Sequence, residues 1–413
     1  MTMKMKRRQL IKTAAAGAAA AAVGPWVLRS AHAQDDEIRV AHLMDLTGIL
    51  DFFGVSINEC FTMAVEETNE AGGLLGRPVR IIPYDCQTNN QLYAQYAQRA
   101  ALQDEVHVVH GGLTSASREV IRPILGRSNT LYFYNQNYEG GVCDRNCFLP
   151  GTTPGHSVKA LIDYSLKQKG KRFYTLAADY NYGQILSAWA KKYAQEQGGE
   201  VIAEDFFPLD VADFGSTILK IQEAKPDFVF HVLVGSNHLG FIRQWAAAGM
   251  LDEIPLVSPV FAAGQALSML PVTETEGITV AYSYIESVDT PENDAFRKKF
   301  RARFNRPEGY LNDNAVDAYI GWKLYAKGVE MAGTTDRMAV IEALETSPEI
   351  IGPQGKIVMD GPTHHCYKDV SLAEVRNNRL EVIETFPQLR SEVAQFCNLA
   401  ERPDDNQQYQ PDV

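Results

Sequence analysis

Thr114-Ser115-Ala116-Ser117 is the run best suited to hold a small molecule. It follows a short apolar stretch ending in Gly111-Gly112, and it opens a helix. At such a turn the first backbone N–H groups lack helical partners, and hydroxyls converge on the same spot. That geometry holds a carboxylate or an amide carbonyl oxygen. Simple N-capping by Ser115 or Ser117 explains the same residues. Tyr134, Asn135 and Gln136 follow the next strand, with Tyr138 and Glu139 close behind. Amides and phenols suit a small neutral ligand, because they donate or accept without demanding charge. Turn formation and packing are the plain alternative. Asp179-Tyr180-Asn181-Tyr182-Gly183 ends a later strand. Tyr180 or Tyr182 could close over a ligand as an aromatic wall, and Asp179 is equally suited to cap the following helix. Gly235-Ser236-Asn237 ends another strand and offers backbone and side-chain donors.

These runs need a scaffold that brings strand ends together. Apolar strand-like runs alternate with amphipathic helical stretches from residue 38 onward: 38–43, 79–84, 106–109 and 131–134 read as strands, and 54–71, 92–102 and 117–126 as helices. The pattern restarts with strands at 172–177, 201–207, 228–233 and 255–258, and helices at 183–197, 217–223 and 239–248. Gly72-Gly73 and Gly198-Gly199 each stop a helix before a strand, as a left-handed cap would. Three more helices follow, one opening at Pro291, one over 315–331 and one over 337–345. Such alternation gives an α/β fold with parallel sheets and right-handed crossovers. Gly151–Gly155, Ser283–Ser287 and Gly352–Gly355 read as linkers. The expectation is two doubly wound parallel-sheet lobes joined by a three-crossing hinge. Residues 34–152 and 286–354 would form one lobe, and 153–285 and 355–413 the other, the last with a C-terminal tail. Open α/β sheets bind ligands at the carboxyl ends of their strands, so both lobes would aim loops into one cleft.

Residues 1–33 set the compartment. Lys4, Lys6, Arg7 and Arg8 precede an alanine-rich run and Ala31-His32-Ala33, which reads as a signal peptide cleaved before Gln34. Arg7-Arg8 with Gln9-Leu10-Ile11-Lys12 resembles a twin-arginine export signal; an ordinary secretory signal is the alternative. No cysteine follows the cleavage site, which argues against a lipid anchor. No later stretch is long and apolar enough to span a membrane. The expected product is an exported, soluble periplasmic protein of 380 residues. The chain has 39 basic and 51 acidic residues, and six basic but no acidic residues lie in the signal. The remainder is 33 against 51, a balance of −18, which argues against nucleic acid and anionic lipid as partners.

Six cysteines in an exported chain favour disulfides. Cys143 and Cys147 are spaced for a bridge across a short loop; Cys60 and Cys86 would be neighbours in one lobe; Cys366 and Cys397 pair by elimination. A zinc site at Cys143 and Cys147 lacks a nearby Cys/His pair to complete it. His364-His365 would point to opposite faces of a strand, which suits packing or the surface better than a metal. No G-x-S-x-G, H-E-x-x-H, P-loop or dinucleotide fingerprint is present, so no enzyme and no cofactor is called for.

Ile38–Gly48, Glu66–Gly76 and Gly112–Arg118 resemble the substrate-binding proteins of branched-chain amino-acid-type ABC transporters. The resemblance runs from about Ile38 to Tyr367. Phe133–Cys143, Asp179-Tyr180, Asp213-Phe214, Ser287–Asn293 and Met359–His365 look closer to the urea and short-chain-amide branch. The resemblance implies two type I periplasmic-binding lobes closing on a small ligand. It also implies delivery to a membrane permease driven by an ATPase, with a monomer as the simplest transport form. Family members that bind free amino acids place an acidic residue after the strand ending near Ser258, to pair with the ligand ammonium. Here Ser258-Pro-Val260-Phe261-Ala-Ala-Gly-Gln265 has no carboxylate. An amino acid would need Asp179, Glu139 or Glu286 instead, since a buried ammonium left unpaired is costly. A neutral amide or urea needs none, and Val260 and Phe261 fit an uncharged molecule. Binding of branched-chain or other amino acids, and ligand sensing for a periplasmic receptor, stay open.

Overall fold

A computed structural model describes residues 37–412; the signal peptide expected over 1–33 lies outside them. The first sheet has the order β2-β1-β3-β4-β6, all parallel, from β1 (Ile38–Met44), β2 (Val79–Asp85), β3 (Val108–Gly111), β4 (Leu131–Phe133) and β6 (Cys147–Phe148). Strand β5 (Val142–Asp144) lies just before β6 in sequence. Side chains alternate across β1: Val40 and Met44 join one core, Ala41 and Leu43 the other. Helix α1 (Asp51–Glu70) packs on the first face, and α2 (Asn90–Leu102) and α3 (Ser115–Arg127) on the second. Caps fix these starts: the Asn89 side chain accepts from the N–H groups of Gln91 and Leu92 at 2.8 and 3.3 Å.

The second sheet has the order β12-β13-β14-β11-β10-β9-β7-β8. Its parallel part is β7 (Arg172–Ala178), β8 (Glu200–Phe207), β9 (Phe228–Val232), β10 (Leu256–Val257) and β11 (Thr279–Tyr282). Helices α4 (Ser157–Gln168), α5 (Asn181–Glu196), α6 (Gly215–Ala224), α7 (Ser236–Ala247) and the single turn α8 (Ala266–Met269) accompany it. The chain then returns through α9 (Pro291–Phe304), α10 (Asp313–Ala332) and α11 (Arg337–Glu345), with α9 and α10 packed on α1. Antiparallel strands β12 (Glu349–Gly352), β13 (Gly355–Asp360), β14 (His365–Arg376) and β15 (Arg379–Leu389) complete the second sheet.

The crossings meet in a buried polar cluster. Asp313 accepts from the Thr152 hydroxyl at 2.8 Å, the Ser283 hydroxyl at 2.7 Å and the Tyr284 N–H at 2.7 Å. Lys368 on β14 pairs with Asp317 on α10, both side chains fully buried. Each buried charge there has a partner, as a low-dielectric site requires.

The tail differs from expectation. Strand β16 (Asn406–Gln408) pairs antiparallel with β5, so the last residues return to the first sheet's side rather than staying with the second. Cys143 bonds Cys397, and Cys60, Cys86, Cys147 and Cys366 are free and buried. None of the three expected pairs forms. Cys143 faces a small core with Val393 and Leu399, whereas Cys147 sits in the sheet core with Val109 and Tyr132. Cys60 and Cys86 lie on opposite faces of the first sheet.

Candidate ligand-binding site

Glycine shapes the approach to the site. Gly111 has φ 141°, and a Cβ there would meet the Leu43 carbonyl oxygen at 2.1 Å. Beyond it Thr114 caps α3: its hydroxyl accepts from the Ser117 N–H at 3.1 Å, and the Ser117 hydroxyl accepts from the Thr114 N–H at 3.1 Å. The N–H groups of Ser115 and Ala116, first in the helix, have no place in its ladder.

Ser115 lines a cavity of ≈ 40 Å³ between the two sheets' loops. The first side contributes Leu50, Phe53, Leu113, Thr114, Ser115, Tyr134, Asn137 and Asn314; the second contributes Tyr180, Tyr182, Val234, Val260 and Ala263. None of these side chains is charged. The volume holds about three waters at ~10–15 Å³ each, or a molecule of similar bulk. The Tyr180 and Tyr182 rings stack at 6.2 Å, and the Tyr134 hydroxyl donates to the Leu113 carbonyl at 3.1 Å. The Asn314 side-chain oxygen accepts from the Asn137 N–H at 2.8 Å, and that of Asn137 from the Thr152 N–H at 3.2 Å. With their oxygens engaged, both asparagines offer a ligand N–H groups. The Ser258 hydroxyl accepts from the N–H groups of Val260 and Phe261 at 3.1 and 3.0 Å and donates to the His231 carbonyl at 2.8 Å. That loop therefore shows the cavity an apolar surface.

Charge lies one layer deeper. The Ser115 hydroxyl donates to Glu139, which accepts from Arg118 at 2.7 Å with both charged side chains fully buried. The Arg118 guanidinium also pairs with Glu119 at 2.8 Å and covers the Tyr134 and Tyr138 rings at 5.1 and 4.7 Å. Gln408, on β16, donates to Glu139 and to the Gly140 carbonyl.

Of the residues singled out from the sequence, Thr114, Ser115, Tyr134, Tyr180, Tyr182 and Val260 meet at this cavity. Ser117 is fully buried in the cap. Asn135 is buried against His110, 3.2 Å away, and against Gly321 of α10. Asp179 is exposed and accepts from Gln184 at 2.8 Å, and Ser236 is exposed beside the Leu209 carbonyl at 3.4 Å. Glu286 pairs with Arg301 at 2.7 Å in a separate cavity of ≈ 310 Å³ lined by other charges. His364 stacks on Phe148 at 4.0 Å, and His365 bonds the Tyr138 hydroxyl, so both pack in the interior. Sequence reasoning missed Leu50 and Phe53, which follow β1 and so obey the strand-end rule. It also missed Asn314, which has no local signal because it arrives from α10.

The family described as periplasmic binding protein matches residues 37–379. The chain belongs to that family. This periplasmic binding protein is 24% identical over 318 residues to the leucine-, isoleucine-, valine-, threonine- and alanine-binding protein of Pseudomonas aeruginosa, a match covering 76% of this chain and 83% of that one. A solute-binding protein of an ABC transporter from R. palustris, in complex with 4-hydroxybenzoate, superposes with TM-score 0.78 and 22% identity over 86% of this chain and 99% of that one. A leucine-binding protein from Thermotoga maritima gives TM-score 0.75 and 18% identity over 85% and 99%. These structures share its fold of two α/β sheets. Among the described residues, no helix of this periplasmic binding protein is long and apolar enough to cross a membrane.

Proposed function

We propose that this chain is the periplasmic, monomeric solute-binding component of an ABC importer, and that it takes a small uncharged polar ligand, an amide or urea. The observation carrying this reading is a small cavity lined by thirteen residues without a charged side chain. An ammonium would find Asp179 at the surface, Glu286 on Arg301 and Glu139 on Arg118. Residues 1–33 would export the protein, with 34–152 and 286–354 forming one lobe and 153–285 with 355–389 the other. Ligand would bind first at Thr114, Ser115 and the α3 N-terminus, then recruit Tyr180, Tyr182 and Val260. Closure is stabilised by contacts made only in the closed state. The closed form would engage the permease and its ATPase.

A carboxylate is the second reading. The free N–H groups at the start of α3 favour an anion, and one relative is described in complex with 4-hydroxybenzoate. Thermal shifts of residues 34–413 separate the two. A ligand binding only the native state adds RT ln(1 + [L]/Kd), ~2.7 kcal/mol at a hundredfold excess over Kd. Shifts with urea or short amides support the neutral reading. Shifts confined to leucine-type amino acids or 4-hydroxybenzoate overturn it.

A further inference from the structure

Ser115 lines the cavity and donates its hydroxyl hydrogen bond to Glu139 in the charged layer beneath it. A carboxylate accepts hydrogen bonds and donates none. Glu139 is held as a carboxylate acceptor by Arg118 at 2.7 Å and by the Gln408 amide. The Ser115 proton is therefore committed downward, and the oxygen facing the cavity has only lone pairs to present. We propose that Glu139 is a positioning residue that fixes the hydrogen-bond polarity of the site, so that the ligand must bring an N–H group to Ser115 Oγ. This rests on the neutral-ligand reading and sharpens it.

The surrounding groups complement one ligand class. The Ser115 N–H at the helix start supplies a donor, and Asn137 and Asn314 supply more, which suits a carbonyl oxygen. Ser115 supplies the matching acceptor. A primary amide or urea carries both a carbonyl oxygen and an NH₂ group. A carboxylate of the same shape brings two acceptors, and one of them would face Ser115 lone pairs with the Glu139 charge behind them. Unmatched buried acceptors are what a binding site rejects most strongly. Gln408 extends the device to the C-terminus: β16 runs beside β5, and Tyr409 N–H donates to the Gly141 carbonyl at 2.8 Å, so the tail holds the 139–141 segment in place.

The test uses isosteric probes, acetamide against acetate and benzamide against benzoate, titrated calorimetrically into residues 34–413. The wild-type arm tests the neutral-ligand reading by itself: carboxylates bound and amides refused would end that reading and this proposal together. With amides bound, Glu139→Gln tests the proposal. A glutamine amide can donate to Ser115 and turn its proton toward the cavity. The expected result is an amide-to-carboxylate affinity ratio lowered about tenfold or more. A folded variant with an unchanged ratio overturns the role of Glu139 and leaves the neutral-ligand reading standing. Should that variant not fold, Ser115→Ala decides. Acetamide affinity should fall about tenfold while acetate affinity stays level, and equal losses for both overturn the proposal.

Discussion

On the first-sheet side of the cleft polarity runs deep: Ser115 rests on Glu139, Glu139 on Arg118, and Arg118 on Glu119 and two tyrosine rings. On the second-sheet side the lining apart from the Tyr180 and Tyr182 phenols is apolar. Val234, Val260 and Ala263 face the cavity, and Ser258 turns the N–H groups of Val260 and Phe261 inward. The difference assigns different work to each wall. Hydrogen-bond complementarity, which discriminates between isosteres, belongs to the first. Apolar contact, which strengthens closure with little regard to chemistry, belongs to the second.

Arg118→Met would break the comparison most severely. It leaves Glu139 without its buried cation, while Glu119 keeps Arg122 at 2.8 Å, and an unpaired buried charge of that kind costs about 3–5 kcal/mol. Urea denaturation should show that loss, and a cost under about 1 kcal/mol would mean the deep charges are not what holds the first wall. Next comes His42→Phe, behind the same wall. His42 stacks on Phe61 at 4.2 Å, and burial lowers its pKa to about 4 despite a hydrogen bond with Asn58. The unfolded chain takes up that proton near pH 6.5 and the native chain refuses it until about 4. This residue's contribution is complete above pH 6.5 and is lost as pH falls toward 4, up to about 3 kcal/mol. Melting curves from pH 7 to 4 should fall more steeply for wild type than for the variant; parallel curves would locate the acid sensitivity elsewhere. Val260→Ala, on the second wall, should have the smallest effect. Loss of two methyl groups at ~0.8 kcal/mol each weakens binding by at most ~1.6 kcal/mol, roughly fifteenfold. The amide-to-carboxylate ratio should not move, and a changed ratio would show that the second wall also discriminates.

Much of the scaffold was legible because periodicity and caps are local. The helix over 337–345 and the strands starting at 38, 79, 131 and 172 appear where the apolar spacing puts them. The strand-end rule likewise led to Thr114, Ser115, Tyr134, Tyr180 and Tyr182. The antiparallel strands after residue 345 went unread, although Cys366, Lys368, Val370 and Leu372 alternate as buried positions on β14. A buried lysine masks that alternation, since its partner Asp317 lies on a helix 51 residues earlier. Distance in sequence also hid the disulfide. Nothing near Cys143 points to Cys397, whereas Cys147 is close in sequence yet turned into a different core. Asn135 and Ser236 follow strands as a site residue should, but their side chains turn into the interior and toward solvent. Residue type and position do not fix that last rotation.

The Cys143–Cys397 bond also sets an order of assembly. Its two ends are 254 residues apart, and the second lies sixteen residues from the end of the chain. A ribosome adding about 5–20 residues per second takes roughly 13–50 s to make that interval. The first sheet is synthesised long before the segment that braces Glu139 exists. The bond cannot close before Cys397 has been made, so the covalent lock on the tail follows synthesis of the cleft. A chain truncated before Cys397 would retain the sequence of both cleft walls while lacking Gln408, the brace beneath one of them.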